Sequence, residues 1–100
     1  MSTRVVITGL GVVSPIGIGV PQFWKAALEG RSGISAITSF DPFPLEGYRS
    51  RVAGRILGFS PEQYLPAGQG DRVDRYAQFA LVAAKEALAE AEKALAAFDP

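Results

Sequence analysis

Cysteine and histidine are both missing from the 100 residues, and methionine and tryptophan occur once each. Without cysteine there is no disulfide, thiolate nucleophile or sulfur-ligated metal in these residues. Without histidine, the side chain most used for proton transfer near neutral pH and for metal ligation is gone as well. Chemistry carried here would rest on carboxylates, hydroxyls, lysine or backbone dipoles. An excess of one charge is also lacking, since ten basic and ten acidic side chains cancel. No net field draws the chain to nucleic acid or to an anionic membrane, and neither is expected as a partner. Long apolar runs are absent too. The first, Val5 to Val13, is interrupted by Thr8, Gly9 and Gly11 and has no small-residue cleavage site. It reads as neither a signal peptide nor a membrane span, so a cytoplasmic location is the default expectation.

What is present suits a soluble globular chain of one domain at most, with 48% hydrophobic and 20% charged residues. Val5, Val6 and Ile7 form a β-branched run that predicts a central strand covered on both faces inside a layered α/β sheet. After a glycine-studded loop, Pro21 suits a helix start. Phe23, Trp24, Ala27 and Leu28 then share one face until Gly30 stops the helix. From Arg31 to Gly58, Gly33, Pro42, Pro44 and Gly47 break regular structure, leaving ordered loop and one short strand in Ser50 to Gly58 with Gly54 inside it. Ser60, Pro61, Glu62 and Gln63 predict a helical turn that Pro66 and Gly68 end.

The spacing predicts a long helix over Asp71 to Phe98. Val73, Ala77, Ala80, Ala84, Leu88, Ala91 and Leu95 recur every three or four residues, with Arg72, Lys85, Glu86 and Glu92 mostly elsewhere around it. Its alanines permit close approach to a neighbouring backbone, and its second half is expected to be more exposed. A strand, a helix, an irregular excursion and a long helix call for another strand after Pro100. The sheet is therefore expected to be incomplete in this chain.

The glycine loop invites comparison with a dinucleotide fingerprint, because Gly9 and Gly11 occupy its first two glycine positions. The third position is Ser14, followed by Pro15, and no helix begins until about Pro21, so the amides would not converge on one anion. No acidic residue stands in Arg31 to Ile37, where such a site needs one. A structural turn is the better reading, with the glycines allowing positive φ and close backbone approach and Ser14-Pro15 fixing an extended exit. Ser14, Ser32 and Ser35 are candidate nucleophiles without a base, hence capping or solvated hydroxyls. Asp71, Arg72, Asp74 and Arg75 suit a helix cap with local ion pairs better than a docking patch. Phe23 and Trp24 suit core anchors better than a stacking platform. No metal site is read.

Four pieces in order resemble the N-terminal end of the β-ketoacyl-acyl-carrier-protein synthases, the elongating condensing enzymes of the thiolase superfamily. They are VVITGLGVVSPIG at Val5 to Gly17, FWKAALEGRSGI at Phe23 to Ile34, Phe40-Asp41 followed by RVAGRI at Arg51 to Ile56, and DRVDRYAQFALVAAKEAL at Asp71 to Leu88. The pieces are similar also to the ketosynthase and chain-length-factor subunits of aromatic polyketide systems. The resemblance implies an α/β chain that forms the N-terminal portion of a thiolase-type αβαβα layered fold. Residues 1–100 would then be the N-terminal part of a ketosynthase domain, not a complete domain.

Activity follows from the same resemblance. Family members are acyltransferases of fatty acid and polyketide synthesis that dimerise in the cytoplasm and need no organic cofactor. They move an acyl group from acyl carrier protein to an active cysteine and condense it with malonyl-carrier protein as carbon dioxide leaves. The cysteine and two histidines of that chemistry lie, in the family, beyond the end of this chain. No residue here matches them, so no catalytic, cofactor-binding or metal residue is assigned, and the 100 residues alone are expected to be inactive. The alternative is a noncatalytic, chain-length-factor-like subunit that shapes the pocket of a catalytic partner.

Overall fold

The computed structural model describes residues 2–37, 47 and 49–97. Two two-stranded antiparallel sheets and two α-helices organise them. Strands β1 (Val13–Ser14) and β2 (Gly17–Ile18) form a tight hairpin, with Val13 opposite Ile18 and Ser14 opposite Gly17. Helix α1 (Val20–Leu28) follows directly. Strand β3 (Ile34–Ala36) pairs with β4 (Val52–Gly54), Ser35 facing Ala53. A 3-10 turn at Pro61–Gln63 leads to α2 (Arg75–Ala96).

Each helix ends for a local reason. Pro21 sits in the first turn of α1, where its missing N–H costs nothing. At the other end Gly30 takes a φ of 71°, its N–H donates to the Ala27 carbonyl at 3.1 Å, and the Arg31 N–H donates to Ala26 at 2.9 Å. Those paired bonds make a Schellman termination, which needs a left-handed residue at Gly30. Helix α2 starts at Arg75 rather than Asp71, because Asp74 is extended (φ −69°, ψ 163°) and serves as N-cap. The expected C-terminal limit, Phe98, lies outside the described residues, as do Phe40, Asp41, Pro42 and Pro44.

The core is small. Phe59, Leu65 and Val82 are buried, and Val13, Ile18, Ile56, Tyr64 and Phe79 close around them. Hydrophobic burial therefore joins the hairpin, the 3-10 turn and one face of α2. The Cα radius of gyration is 17.6 Å, against about 13 Å for a compact domain of this length. The described residues are thus spread around that core instead of enclosing it.

Other expectations about the elements need correction. Val5 to Ile7 form no strand, and Val5 and Ile7 are 90% and 81% exposed. Among the described residues no neighbouring strand offers them a ladder, and β-branched composition alone makes no hydrogen bonds. Strand β3 falls where only loop was expected, since the three exposed residues Ile34, Ser35 and Ala36 are too short a run for their alternation to stand out as a strand. The expected apolar face of the long helix is mostly open: Ala80, Ala84, Leu88 and Leu95 are exposed, Leu88 by 62%, whereas Phe79, Val82 and Ala83 meet the core and the hairpin segment. The helix is apolar on two sides, and periodicity cannot say which side is covered.

Candidate functional site

The glycine loop lies across α2. A β-carbon built on Gly11 would stand 1.7 Å from the carbonyl oxygen of Ala83, and one on Gly9 2.0 Å from that of Ala87. Two residues along the extended segment thus match four along the helix. The alanines place no bulk in the way, so backbone rests on backbone. Neither glycine has a positive φ; close approach is what requires them.

This contact sets the loop's amides over two carboxylates one helical turn apart. The Leu10 N–H donates to Glu90 Oε2 at 3.2 Å, and the Val12 N–H to Glu86 Oε1 at 3.0 Å. The other oxygen of Glu86, Oε2, accepts from the Val20 N–H at 2.8 Å, at the start of α1. Amides that a phosphate would need are therefore already bonded to negatively charged side chains. A phosphate brought there would also meet two like charges. The loop is a structural joint, as the turn reading expected.

Ser14 and Pro15 do not make an extended exit. Ser14 ends β1, its Oγ donates to the Gly17 carbonyl at 2.9 Å and accepts from the Ile16 N–H at 3.3 Å, and Pro15-Ile16 is the hairpin turn. A two-residue reversal pinned by a serine hydroxyl competes better here than straight passage. Ser32 Oγ accepts from the Ile34 N–H at 3.1 Å, and Ser35 lies exposed in β3. No base stands beside any of the three among the described residues.

Asp71, Arg72 and Asp74 are exposed and share no ion pair among the described residues, contrary to the expected local pairing. Asp74 caps α2 by position, its carbonyl accepting from the Gln78 N–H at 2.9 Å, without a side-chain cap bond. Arg75 instead lays its guanidinium over Phe59 and Phe79, 5.2 and 5.5 Å from the ring centroids. Trp24 is 59% exposed and so is not a core anchor within the described residues, whereas Phe23 is half-buried. Burial on α1 centres on Ala26, one helical position away from the expected stripe.

Between the hairpin and α2 lies an apolar cleft of about 270 Å³, walled by Ile18, Gly19, Tyr64, Val82, Lys85, Glu86 and Ala89. The Lys85 Nζ donates to the Tyr64 carbonyl at 3.2 Å across its end. Among the described residues no group of three or more acidic, cysteine or histidine side chains could hold a metal, and no helix is long and apolar enough to cross a membrane. On the sequence, Glu86 counts among the polar residues off the helix's apolar face. The signal that singles it out is indirect: α1 opens on Gly19, which has no capping side chain.

Glu62 is the one described group with a clear electrostatic perturbation. The Ser60 hydroxyl bonds its carboxylate, and with the backbone N–H of Glu62 itself this holds the carboxyl below its ordinary value. Ser60→Ala should therefore let Glu62 titrate at higher pH, which carboxyl carbon chemical shifts would follow. An unchanged midpoint would mean that the hydroxyl is not its partner in solution.

A helix-backed hairpin, a second small sheet and a long alanine-rich helix make this an α/β chain, the N-terminal portion of a thiolase-type fold. It belongs to the β-ketoacyl synthase family: the model of that family's N-terminal domain matches residues 2–98. The chain is 48% identical over 87 residues to the tetracenomycin polyketide synthase ketoacyl synthase beta subunit of Streptomyces glaucescens, covering 87% of this chain and 20% of that protein. To 3-oxoacyl-acyl-carrier-protein synthase 2 of Staphylococcus aureus it is 43% identical over 89 residues, covering 89% and 21%. Among solved structures it is similar to the ishigamide ketosynthase/chain length factor, with a TM-score of 0.73 and 34% identity over 87% of this chain and 21% of that one. The chain thus spans about a fifth of the length of these relatives.

Proposed function

We propose that the protein to which these residues belong is a β-ketoacyl-acyl-carrier-protein synthase, with residues 1–100 the N-terminal part of its ketosynthase domain. The acyl group passes from the carrier thioester to a cysteine thiolate outside these residues, releasing the carrier thiol. A malonyl thioester then loses its carboxylate as carbon dioxide, and the electron pair left behind forms an enolate. The enolate α-carbon attacks the acyl carbon, a carbon–carbon bond forms, and the cysteine thiolate leaves. Backbone and side-chain donors that receive the thioester oxygen stabilise the enolate. The described residues would scaffold that site. Acyl carrier protein, a second ketosynthase subunit and the cytoplasm complete the reading, with no organic cofactor.

The observation that carries this reading is the match of residues 2–98 to one domain of the family, with relatives named for both polyketide and acyl-carrier-protein chemistry. A second reading, a noncatalytic subunit resembling a chain-length factor, is favoured by the name of the similar solved structure. One experiment separates them. The complete protein is mixed with acyl-carrier protein and its intact mass followed, then malonyl-carrier protein is added and product measured. An acyl adduct followed by β-ketoacyl product supports the synthase. Product without an adduct on this subunit, appearing only when a partner ketosynthase is supplied, supports the second reading. Neither adduct nor product in any pairing would remove both. The isolated 100 residues should acquire no adduct.

A further inference from the structure

Glu86 is half-buried, and its two oxygens serve two amides that lie on either side of the hairpin. Oε1 takes Val12, just before β1, and Oε2 takes Val20, just after β2. The hairpin's own closing bond, from the Gly19 N–H to the Val12 carbonyl at 2.9 Å, joins the same two ends. A carboxylate suits this place for three reasons. Gly19 has no side chain to cap α1, whose first amide, that of Val20, is the one Glu86 receives. Negative charge is favourable at a helix start. Hydrogen bonds to an ionised acceptor are stronger than neutral ones. The glycine contact at residues 9 and 11 brings the segment within reach, and Glu90 repeats the arrangement one turn on at Leu10.

We propose that Glu86 is a positioning residue, a two-oxygen clamp that holds both ends of the Val13–Ile18 hairpin on α2 and fixes the Ile18–Gly19 wall of the cleft; its kinetic consequence rests on the condensing-enzyme reading above. Glu86 needs to touch no substrate for this role. It acts through the hairpin. The clamp requires two acceptors facing two donors, a demand that distinguishes it from volume filling. Glutamine has the same size but only one acceptor oxygen, and its NH2 group would face the second amide donor. Alanine removes both bonds and opens space.

The test compares the complete protein with its Glu86→Gln and Glu86→Ala variants. Hydrogen exchange is the first readout. Val12 and Val20 amides should exchange at least about tenfold faster in Glu86→Ala, one of the two should do so in Glu86→Gln, and amides of the α2 interior near Val82 should not change. Condensation kinetics are the second: kcat should fall about tenfold in Glu86→Ala and by less in Glu86→Gln, with KM for the malonyl carrier thioester unchanged. Wild-type exchange in Glu86→Gln would overturn the clamp, because shape alone would then suffice. Faster exchange with unaltered kcat would overturn the positioning role. A wild-type protein without condensing activity would count against the functional reading, while exchange would still decide the clamp. Should Glu86→Ala fail to fold, the isosteric Glu86→Gln variant carries the test.

Discussion

Gly11→Ala is expected to destabilise the complete protein by about 3 kcal/mol or more, the upper end of what overpacking costs. The added methyl carbon would stand 1.7 Å from the Ala83 carbonyl oxygen and 2.7 Å from its carbon, both backbone atoms of a helix. A flexible side chain could turn aside; a helical carbonyl bonded within its own ladder cannot. Relief requires the 9–12 segment to lift, which would also strain the bonds from Leu10 and Val12 to Glu90 and Glu86. Gly30→Ala makes a suitable control. A β-carbon there meets nothing within 4 Å, and its cost comes only from the φ of 71°, about 1–2 kcal/mol. Denaturant midpoints or thermal melts would compare the two. If Gly11→Ala costs no more than Gly30→Ala, the segment does not rest on α2 in solution.

How much of this joint could be read from the sequence depends on which part is considered. The glycines of Gly9-Leu10-Gly11 and the alanines of the long helix each announced close approach, and the structure brings them onto one another. Their registry was not legible, because a match of two residues of an extended segment to four helix residues is a tertiary fact with no local signature. The turn at Pro61–Gln63 and the stop at Gly30 follow from local backbone chemistry, proline fixing φ at the first and glycine permitting a left-handed φ at the second. Val5 to Ile7 went the other way. Their β-branched composition describes what a strand face needs, but a strand exists only when another backbone accepts its hydrogen bonds.

The chemistry was legible mainly as absence. Missing cysteine and histidine remove the usual nucleophile and base from these residues, and the serines prove to be turn and strand hydroxyls. Glu86 has no local signature, because a glutamate on a long helix usually faces water, and nothing within three or four residues tells it apart from Glu92. Its partners lie 74 and 66 residues away in sequence. The acidic and basic residues at Asp71 to Arg75 show the same limit. Alternating signs suggest pairing, yet Arg75 gains more from two aromatic faces that only the fold supplies.

Those faces belong to the centre of the small core, and Phe59→Ala should cost about 3–5 kcal/mol, the range for removing a buried aromatic ring. Phe59 stacks on Tyr64 with centroids 5.7 Å apart and an interplanar angle of 6°, and meets the edge of Phe79 at 4.9 Å and 80°. Few other buried side chains are available to close the gap, because Leu65 and Val82 are the remaining buried members of the cluster. Phe59→Leu keeps most of the volume and loses chiefly the ring-specific terms, about 0.5–1.5 kcal/mol for an aromatic pair. Arg75 can be separated from packing by a double-mutant cycle of Phe59→Leu with Arg75→Met, for which a coupling of about 0.5–1 kcal/mol is expected at this exposed cation. Denaturation midpoints of the four proteins supply the cycle. A Phe59→Ala loss no larger than that of Phe59→Leu would mean that the ring is not the point where the hairpin, the turn and α2 are joined. Zero coupling with a large Phe59→Ala loss would keep the joint and reduce Arg75 to a bystander above it.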